Sequence, residues 1–182
     1  MNANKSKPLL IRIAIAVFVV GFIAYKGISI ITGAGAGEMA PDFTAELIDG
    51  TEYNLSDSQG NYVILDFWGS WCGPCLRDNP KLVTLSNKYK SARFDGEAGL
   101  HIVSVALEKR GDAWKRAAER FGMDWKRQIV HHHKVVLASP IANDYGVTDL
   151  PAKFLIGPDG KIITAKSSFE EIDAYLSERR SL

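Results

Sequence analysis

One stretch decides the fold of this chain: residues 64–75, which read ILDFWGSWCGPC. The apolar run from Tyr62 to Trp68 is typical of a buried strand, and Pro74 suits the first turn of a helix. The pattern therefore predicts a strand, a short turn and a helix that starts near Cys72. Both cysteines of the protein, Cys72 and Cys75, lie at this junction.

The position of Cys72 at a helix start has a chemical consequence. Free backbone N–H groups and the positive end of the helix dipole stabilise a thiolate there, so we expect Cys72 to be the nucleophile. Cys75 follows about one helical turn later, within reach of a mixed disulfide formed at Cys72. The two residues are therefore predicted to form a two-electron dithiol/disulfide couple.

A zinc site is the alternative interpretation of a Cys-x-x-Cys pair. A structural zinc site needs four ligands, and the sequence has no second Cys-x-x-Cys or His-x-x-x-His motif to complete one. The preceding strand and the Gly73-Pro74 pair inside the motif favour redox chemistry. We therefore predict a redox-active pair with no metal and no cofactor.

Residues 67–75, with an acid six positions before the first cysteine, resemble the active-site segment of thioredoxins. Residues 39–176 are similar to the TlpA/ResA-type membrane-anchored thiol-disulfide oxidoreductases. This resemblance implies an α/β thioredoxin fold, in which a mixed central sheet is flanked by helices, with an N-terminal β extension. It also implies reduction of disulfides in exported proteins, such as apocytochrome c, and re-reduction by a membrane thiol electron donor. Reduction is favoured because the Gly73-Pro74 pair resembles that of the thioredoxins.

Composition sets the broad class of the protein. The chain has 182 residues, of which 46% are hydrophobic and 24% charged, as in an ordinary globular domain with an extension. Four basic and no acidic residues precede Gly37, and the rest of the chain carries 18 basic and 21 acidic residues. This balance gives no basic surface for nucleic acid, so we expect no nucleic-acid partner.

The N-terminal segment is apolar and is preceded by basic residues. Residues 13–25 form an unbroken apolar run, and residues 9–31 are long enough to span a bilayer. The basic residues predict an N-terminus inside and a domain outside the cell membrane. We therefore expect a transmembrane helix in 1–33, a linker in 34–38 and a thioredoxin-like domain in 39–182, on the periplasmic side of the inner membrane. Cleavage at the small-residue sequence 34–36 remains an alternative.

The rest of the domain alternates between strand and helix patterns, which indicates a mixed sheet flanked by helices. In order, we predict a strand or hairpin in 40–53, a strand in 62–68, a helix in 74–90, a strand in 100–107, a helix in 112–121 stopped by Gly122, a strand in 128–137, a helical turn in 142–147, strands in 153–156 and 161–165, and a helix in 169–180.

Two acids are candidates for proton transfer. Asp66 lies inside the apolar strand, where burial would raise its pKa and let it accept the proton that Cys75 must lose. The alternative is a strand-end acid that faces solvent or pairs with a lysine. Glu108 ends the next strand and resembles an acid near the active site of ResA-type proteins; its alternative is a solvated charge. The lysine that thioredoxins carry on that strand is missing from 103–107.

Several residues are candidates for contact with a client protein. Leu150-Pro151 precedes a strand, where the family resemblance implies a cis-proline opposite the cysteines, with the backbone of Leu150 free to pair with a client. Trp71 is expected to present an exposed apolar surface beside Gly73 and Pro74, the alternative being core packing. Trp68 is expected to pack below the site.

Two other functions were weighed. A thiol peroxidase of this fold would need threonine at position 69 and proline at position 65, where this chain has Gly69 and Leu65. A copper-delivery protein could use the cysteines with His131 and His133, which can point the same way from a strand. The sequence favours the oxidoreductase over both.

Overall fold

The computed structural model describes residues 11–22, 34–95, 97–133 and 138–181. The elements in chain order are α1 (described over 11–22), β1 (Thr44–Glu46), β2 (Glu52–Asn54), a 3-10 helix (Leu55–Ser58), β3 (Tyr62–Trp68), α2 (Gly73–Tyr89), β4 (Leu100–Glu108), α3 (Ala113–Phe121), β5 (Arg127–His132), α4 (Pro140–Asp144), β6 (Ala152–Ile156), β7 (Ile162–Ala165) and α5 (Phe169–Glu178).

A five-stranded mixed sheet, ordered β5-β4-β3-β6-β7, forms the centre of the domain. Strands β3, β4 and β5 are mutually parallel. Parallel neighbours need a long crossover connection, and α2 and α3 provide the two connections. Strand β6 is antiparallel to both β3 and β7. The predicted α/β architecture with a mixed sheet is therefore confirmed.

The two faces of this sheet bury different sets of side chains. Val63, Leu65 and Phe67 of β3 point to one face, which the β1–β2 hairpin and α4 cover. Ile64 and Trp68 point to the opposite face, under α2, α3 and α5. We call these the hairpin face and the helix face. Because strand side chains alternate, Asp66 belongs to the helix face.

The N-terminal extension crosses the hairpin face from one edge of the sheet to the other. Backbone hydrogen bonds join Gly37 and Glu38 to Ile162 at the start of β7. The chain then forms the predicted hairpin, whose turn contains Gly50 in a left-handed conformation (φ 84°). Beyond β1, the N–H of Ile48 donates to the carbonyl of Gln128 at the outer edge of β5.

Most predicted boundaries agree with the structure to within two residues, and α3 ends at Gly122 in a left-handed conformation (φ 72°), as expected. The helical turn predicted at 142–147 begins earlier, at Pro140. The reason is that the Ser139 hydroxyl accepts a hydrogen bond from the N–H of Ala142 and thereby caps a helix that starts with proline. Strand β5 ends at His132, and the last residues of the predicted strand, 134–137, lie outside the described ranges.

The N-terminal helix exposes its apolar side chains, including Ile13, Val17 and Phe18. Within the described ranges, none of the helices combines the length and apolar character needed to cross a bilayer. The predicted span at 9–31 extends over residues outside those ranges, so the membrane anchor stays a prediction.

Candidate active site

The cysteine pair lies at the start of α2, as the sequence predicted. Cys72 is the N-cap residue of this helix, and its sulfur accepts a hydrogen bond from the backbone N–H of Cys75 at 3.2 Å. The two cysteines form a disulfide with an S–S distance of 2.07 Å. The structure therefore represents the oxidised state, with the Cys72 sulfur held where the helix dipole favours a negative charge.

The disulfide is recessed, while the surface around it is open. Cys72 is only 4% exposed and packs with Trp68 on the helix face. By contrast, Trp71, Gly73 and Pro74 are all exposed. Three of the five residues predicted to contact a client thus surround the nucleophile at the surface.

Trp71 is 51% exposed, so the alternative of core packing is wrong. Its indole N–H donates to the carbonyl of Leu107 at 2.8 Å, which fixes the ring beside the turn. A Cβ atom at Gly69 would lie 2.7 Å from that indole nitrogen and 3.0 Å from the same carbonyl. The threonine that the peroxidase pattern requires at this position would therefore displace the indole.

The Leu150–Pro151 peptide bond is cis, as the family resemblance implied. Leu150 packs against the cluster that contains Cys72 and Cys75. Pro151 leads directly into β6, the strand that pairs with β3. The proline loop and the disulfide therefore lie side by side at one end of the sheet.

Asp66 is buried beneath α2, with 3% of its surface exposed. Burial is the main cause that raises its pKa to about 7, and the nearby positive charge of Lys153 opposes this shift. Lys153 lies directly opposite Asp66 in the β3–β6 register, and its Nζ donates to Asp78 Oδ2 at 2.6 Å. Asp66 is thus a buried acid that also faces a lysine, and its proton-relay role remains a prediction.

Lys153 and Asp78 were not predicted as site residues. The resemblance to thioredoxins implied a lysine on β4, whereas the lysine near Asp66 comes from β6. A signal in the sequence could have identified Lys153 as a site residue, namely its place within the apolar segment AKFLI. All five residues of this strand are buried. A lysine there requires a partner, since a charged group is almost never buried alone.

Glu108 is buried at the end of β4, so the alternative of a solvated charge is wrong. Its carboxylate accepts hydrogen bonds from the backbone N–H of Ser70 at 2.6 Å and from the Ser70 hydroxyl at 2.9 Å. Ser70 lies two residues before Cys72. The observed contacts of Glu108 therefore hold the turn that leads to the nucleophile, and a catalytic role stays a prediction.

The two histidines considered for copper are near each other, and His131 is hydrogen-bonded to a serine. The rings of His131 and His133 lie 5.7 Å apart, and His131 Nδ1 is 2.7 Å from the Ser139 hydroxyl. Burial lowers the pKa of His131, and the neighbouring His133 adds to this shift. In the part of the chain that the structure describes, no three His, Cys, Asp or Glu side chains are grouped to hold a metal ion.

The model of the AhpC/TSA family matches residues 36–165. The chain belongs to this family. It is 30% identical over 181 residues to the thiol-disulfide oxidoreductase ResA of Bacillus anthracis, covering 96% of this chain and 98% of that protein. It is 32% identical over 180 residues to ResA of Geobacillus kaustophilus, with 95% and 97% covered.

Solved structures agree with these relatives. A thiol-disulfide oxidoreductase from Bacteroides fragilis is 26% identical, with a TM-score of 0.67 and coverage of 78% of this chain and 98% of the other. The thioredoxin domain of a thiol-disulfide oxidoreductase from Bacteroides vulgatus is also 26% identical, with a TM-score of 0.65 and coverage of 78% and 97%. The predicted thioredoxin fold and the predicted enzyme class, a thiol-disulfide oxidoreductase, are thereby confirmed.

Proposed function

We propose that this oxidoreductase is tethered to the inner membrane and reduces disulfides of exported proteins on the periplasmic side. The observation that carries the proposal is the placement of the Cys72 sulfur at the start of α2, beside the exposed Trp71. This position combines a sulfur that ionises readily with an apolar surface on which an unfolded or extended client can rest.

The reaction has two exchange steps. The Cys72 thiolate attacks one sulfur of a client disulfide, forms a mixed disulfide and releases the other client sulfur as a thiolate. Cys75 then loses its proton, for which Asp66 is the proposed acceptor, and attacks the Cys72 sulfur. The client leaves as a dithiol and the Cys72–Cys75 disulfide is formed. A membrane thiol donor supplies the two electrons that restore the reduced enzyme.

The tether is supported by the N-terminal segment. Residues 11–22 are helical with apolar side chains exposed on all sides, and Lys5, Lys7 and Arg12 give the charge bias of an inward-facing N-terminus. The alignment with the Bacillus anthracis protein covers 96% of this chain and so includes most of this segment. Exported proteins, including apocytochrome c, are the clients implied by the family resemblance.

The direction of electron flow is supported by the Gly73-Pro74 pair between the cysteines. A reductant of this kind should have a reduction potential near that of thioredoxin, about −270 mV, and far from that of the oxidant DsbA, about −120 mV. Equilibration of the purified domain with glutathione buffers measures this directly. A reduction potential near that of DsbA would overturn the proposed direction of electron flow but would leave the exchange chemistry intact.

Client trapping tests the mechanism in the cell. Cys75→Ser removes the resolving sulfur, so clients should accumulate as mixed disulfides on Cys72 that a reductant releases. The Cys72→Ser/Cys75→Ser double variant is the matched control and should trap none. If Cys75→Ser recovers only proteins that separate without reductant, the two-step exchange is wrong.

A further inference from the structure

The active-site helix carries one buried amide that the mechanism above does not use. Asn79 is 2% exposed and lies one turn beyond Cys75, and Leu82 continues the same buried side of α2. The Nδ2 atom of Asn79 is buried and has no hydrogen-bond partner within the described residues. A buried donor without a hydrogen-bond partner destabilises a folded protein, so the burial of the Asn79 amide calls for a functional explanation.

The packing on either side shows what Asn79 faces. One turn before it, Cys75 packs with Trp68, and nearly one turn after it, Leu82 packs with Ile64. Asp66 lies between Ile64 and Trp68 on the same face of β3. The buried side of α2 that includes Asn79 therefore packs over the stretch of β3 that contains Asp66.

The direction of helical side chains brings the amide closer to the sulfur. Side chains on a helix lean towards its N-terminus and over the residue four positions earlier. For Asn79 that residue is Cys75, whose sulfur is tied to Cys72 in the oxidised state. A disulfide sulfur is a weaker hydrogen-bond acceptor than a thiolate.

We propose that Asn79 is a redox-tuning residue whose Nδ2–H group donates a hydrogen bond to the Cys75 sulfur once the disulfide is reduced. The amide lacks a partner in the oxidised enzyme and gains one in the reduced enzyme. It thereby stabilises the reduced form and shifts the couple towards the dithiol. This inference rests on the Cys72/Cys75 couple and is independent of the client, the compartment and the direction proposed above.

The test is the equilibrium with glutathione, in which the enzyme disulfide and two glutathione thiols give the enzyme dithiol and glutathione disulfide. Asn79→Leu should lower the equilibrium constant for enzyme reduction by about threefold to tenfold, and a tenfold change corresponds to about 30 mV for this two-electron couple. Thr164→Val is the matched control, because Thr164 Oγ1 on β7 is also buried without a partner. This control should leave the equilibrium constant unchanged.

The pH dependence separates a hydrogen bond from a packing effect. The titratable side chains on this side of the sheet include Asp66 on β3, Glu108 on β4, Lys153 on β6 and Asp78 on α2, together with Tyr62 on β3 and Tyr89 on α2. The difference between Asn79→Leu and the wild type should grow as the pH rises, because a Cys75 thiolate accepts a stronger hydrogen bond than the thiol. It should persist in an Asp66→Asn background, in which the carboxylate acceptor is removed.

Three results would overturn the inference: an equilibrium constant equal to that of the wild type, a shift that does not depend on pH, or a shift that disappears in the Asp66→Asn background. Asn79→Ala provides the same test if the leucine variant does not melt cooperatively. A wild-type enzyme that fails to exchange with glutathione would instead contradict the oxidoreductase chemistry itself, so the two failures are distinguishable.

Discussion

The two faces of the central sheet both bury apolar side chains, but the helix face also buries charged groups. On the hairpin face, the rings of Phe67, Tyr145 and Phe154 pack with centroids 5.0 to 5.9 Å apart. On the helix face, Asp66 and Lys153 are buried together beside the cysteines. Burial of apolar rings stabilises a fold, whereas burial of charged groups costs free energy unless they are paired. The comparison indicates that the hairpin face serves the fold, whereas the helix face contributes both to the fold and to the chemistry.

Asp66→Asn should have the largest effect on activity. The amide cannot accept the proton of the Cys75 thiol, so the rate of client reduction at neutral pH should fall about 100-fold. Stopped-flow measurement of disulfide exchange would give this rate. An unchanged exchange rate would show that Asp66 does not accept the proton of the Cys75 thiol.

The same variant should also change how stability depends on pH. Because burial raises the pKa of Asp66 from 3.8 to about 7, the folded protein retains a proton that the unfolded chain loses within that interval. The free energy of unfolding should therefore decrease as pH rises from about 4 to about 7. Chemical denaturation at several pH values should show this decrease in the wild type and a smaller one in Asp66→Asn. Equal slopes would contradict the assigned burial.

Lys153→Met should have the next largest effect. It removes the positive charge that lowers the pKa of Asp66, and it removes the closer of the two lysines that pair with Asp78. We expect the pH-dependent change in stability to move to higher pH, the exchange rate to fall about tenfold and stability to fall by about 2 kcal/mol. Lys81→Met is the control, since this half-exposed lysine also lies near Asp78, at 3.8 Å. Equal effects of the two variants would show that the buried position of Lys153 has no special role.

Glu108→Gln should have a smaller effect. The neutral amide weakens the hydrogen bonds that hold Ser70, so the turn before Cys72 becomes less well positioned. We expect the exchange rate to fall about threefold and stability to fall by about 1 kcal/mol. Glu119→Gln, at an exposed position on α3, serves as the control. A loss as large as that of Asp66→Asn would instead make Glu108 the proton acceptor.

Phe154→Leu, on the hairpin face, should have the smallest effect on activity. Loss of ring contacts with Phe67 and Tyr145 should lower stability by about 1 to 2 kcal/mol. The exchange rate and the reduction potential should equal those of the wild type. A thermal melt and a glutathione titration of the same sample would test both expectations. A shifted potential would show that the two faces are not independent.

The parts of the site that depend on residues close together along the chain are predictable from the sequence. The order of strand, turn and helix around Cys72 follows from local apolar and proline patterns, and the burial of Asp66 follows from its place in an apolar run. Lys153 was missed because its relation to Asp66 depends on the long-range register between β3 and β6. Asn79 was missed because its burial depends on how α2 packs against β3, which a local sequence pattern does not reveal.

The extension that crosses the hairpin face has a consequence for how clients are recognised. Its backbone pairs with β7 through Gly37 and Glu38 and with β5 through Ile48, so the same segment occupies positions on both outer strands. At those positions a client peptide cannot join the sheet as an additional strand, a common route to both specific binding and aggregation. We therefore expect the proposed clients to bind at the loops around the disulfide, through a short exposed segment near their own cysteines.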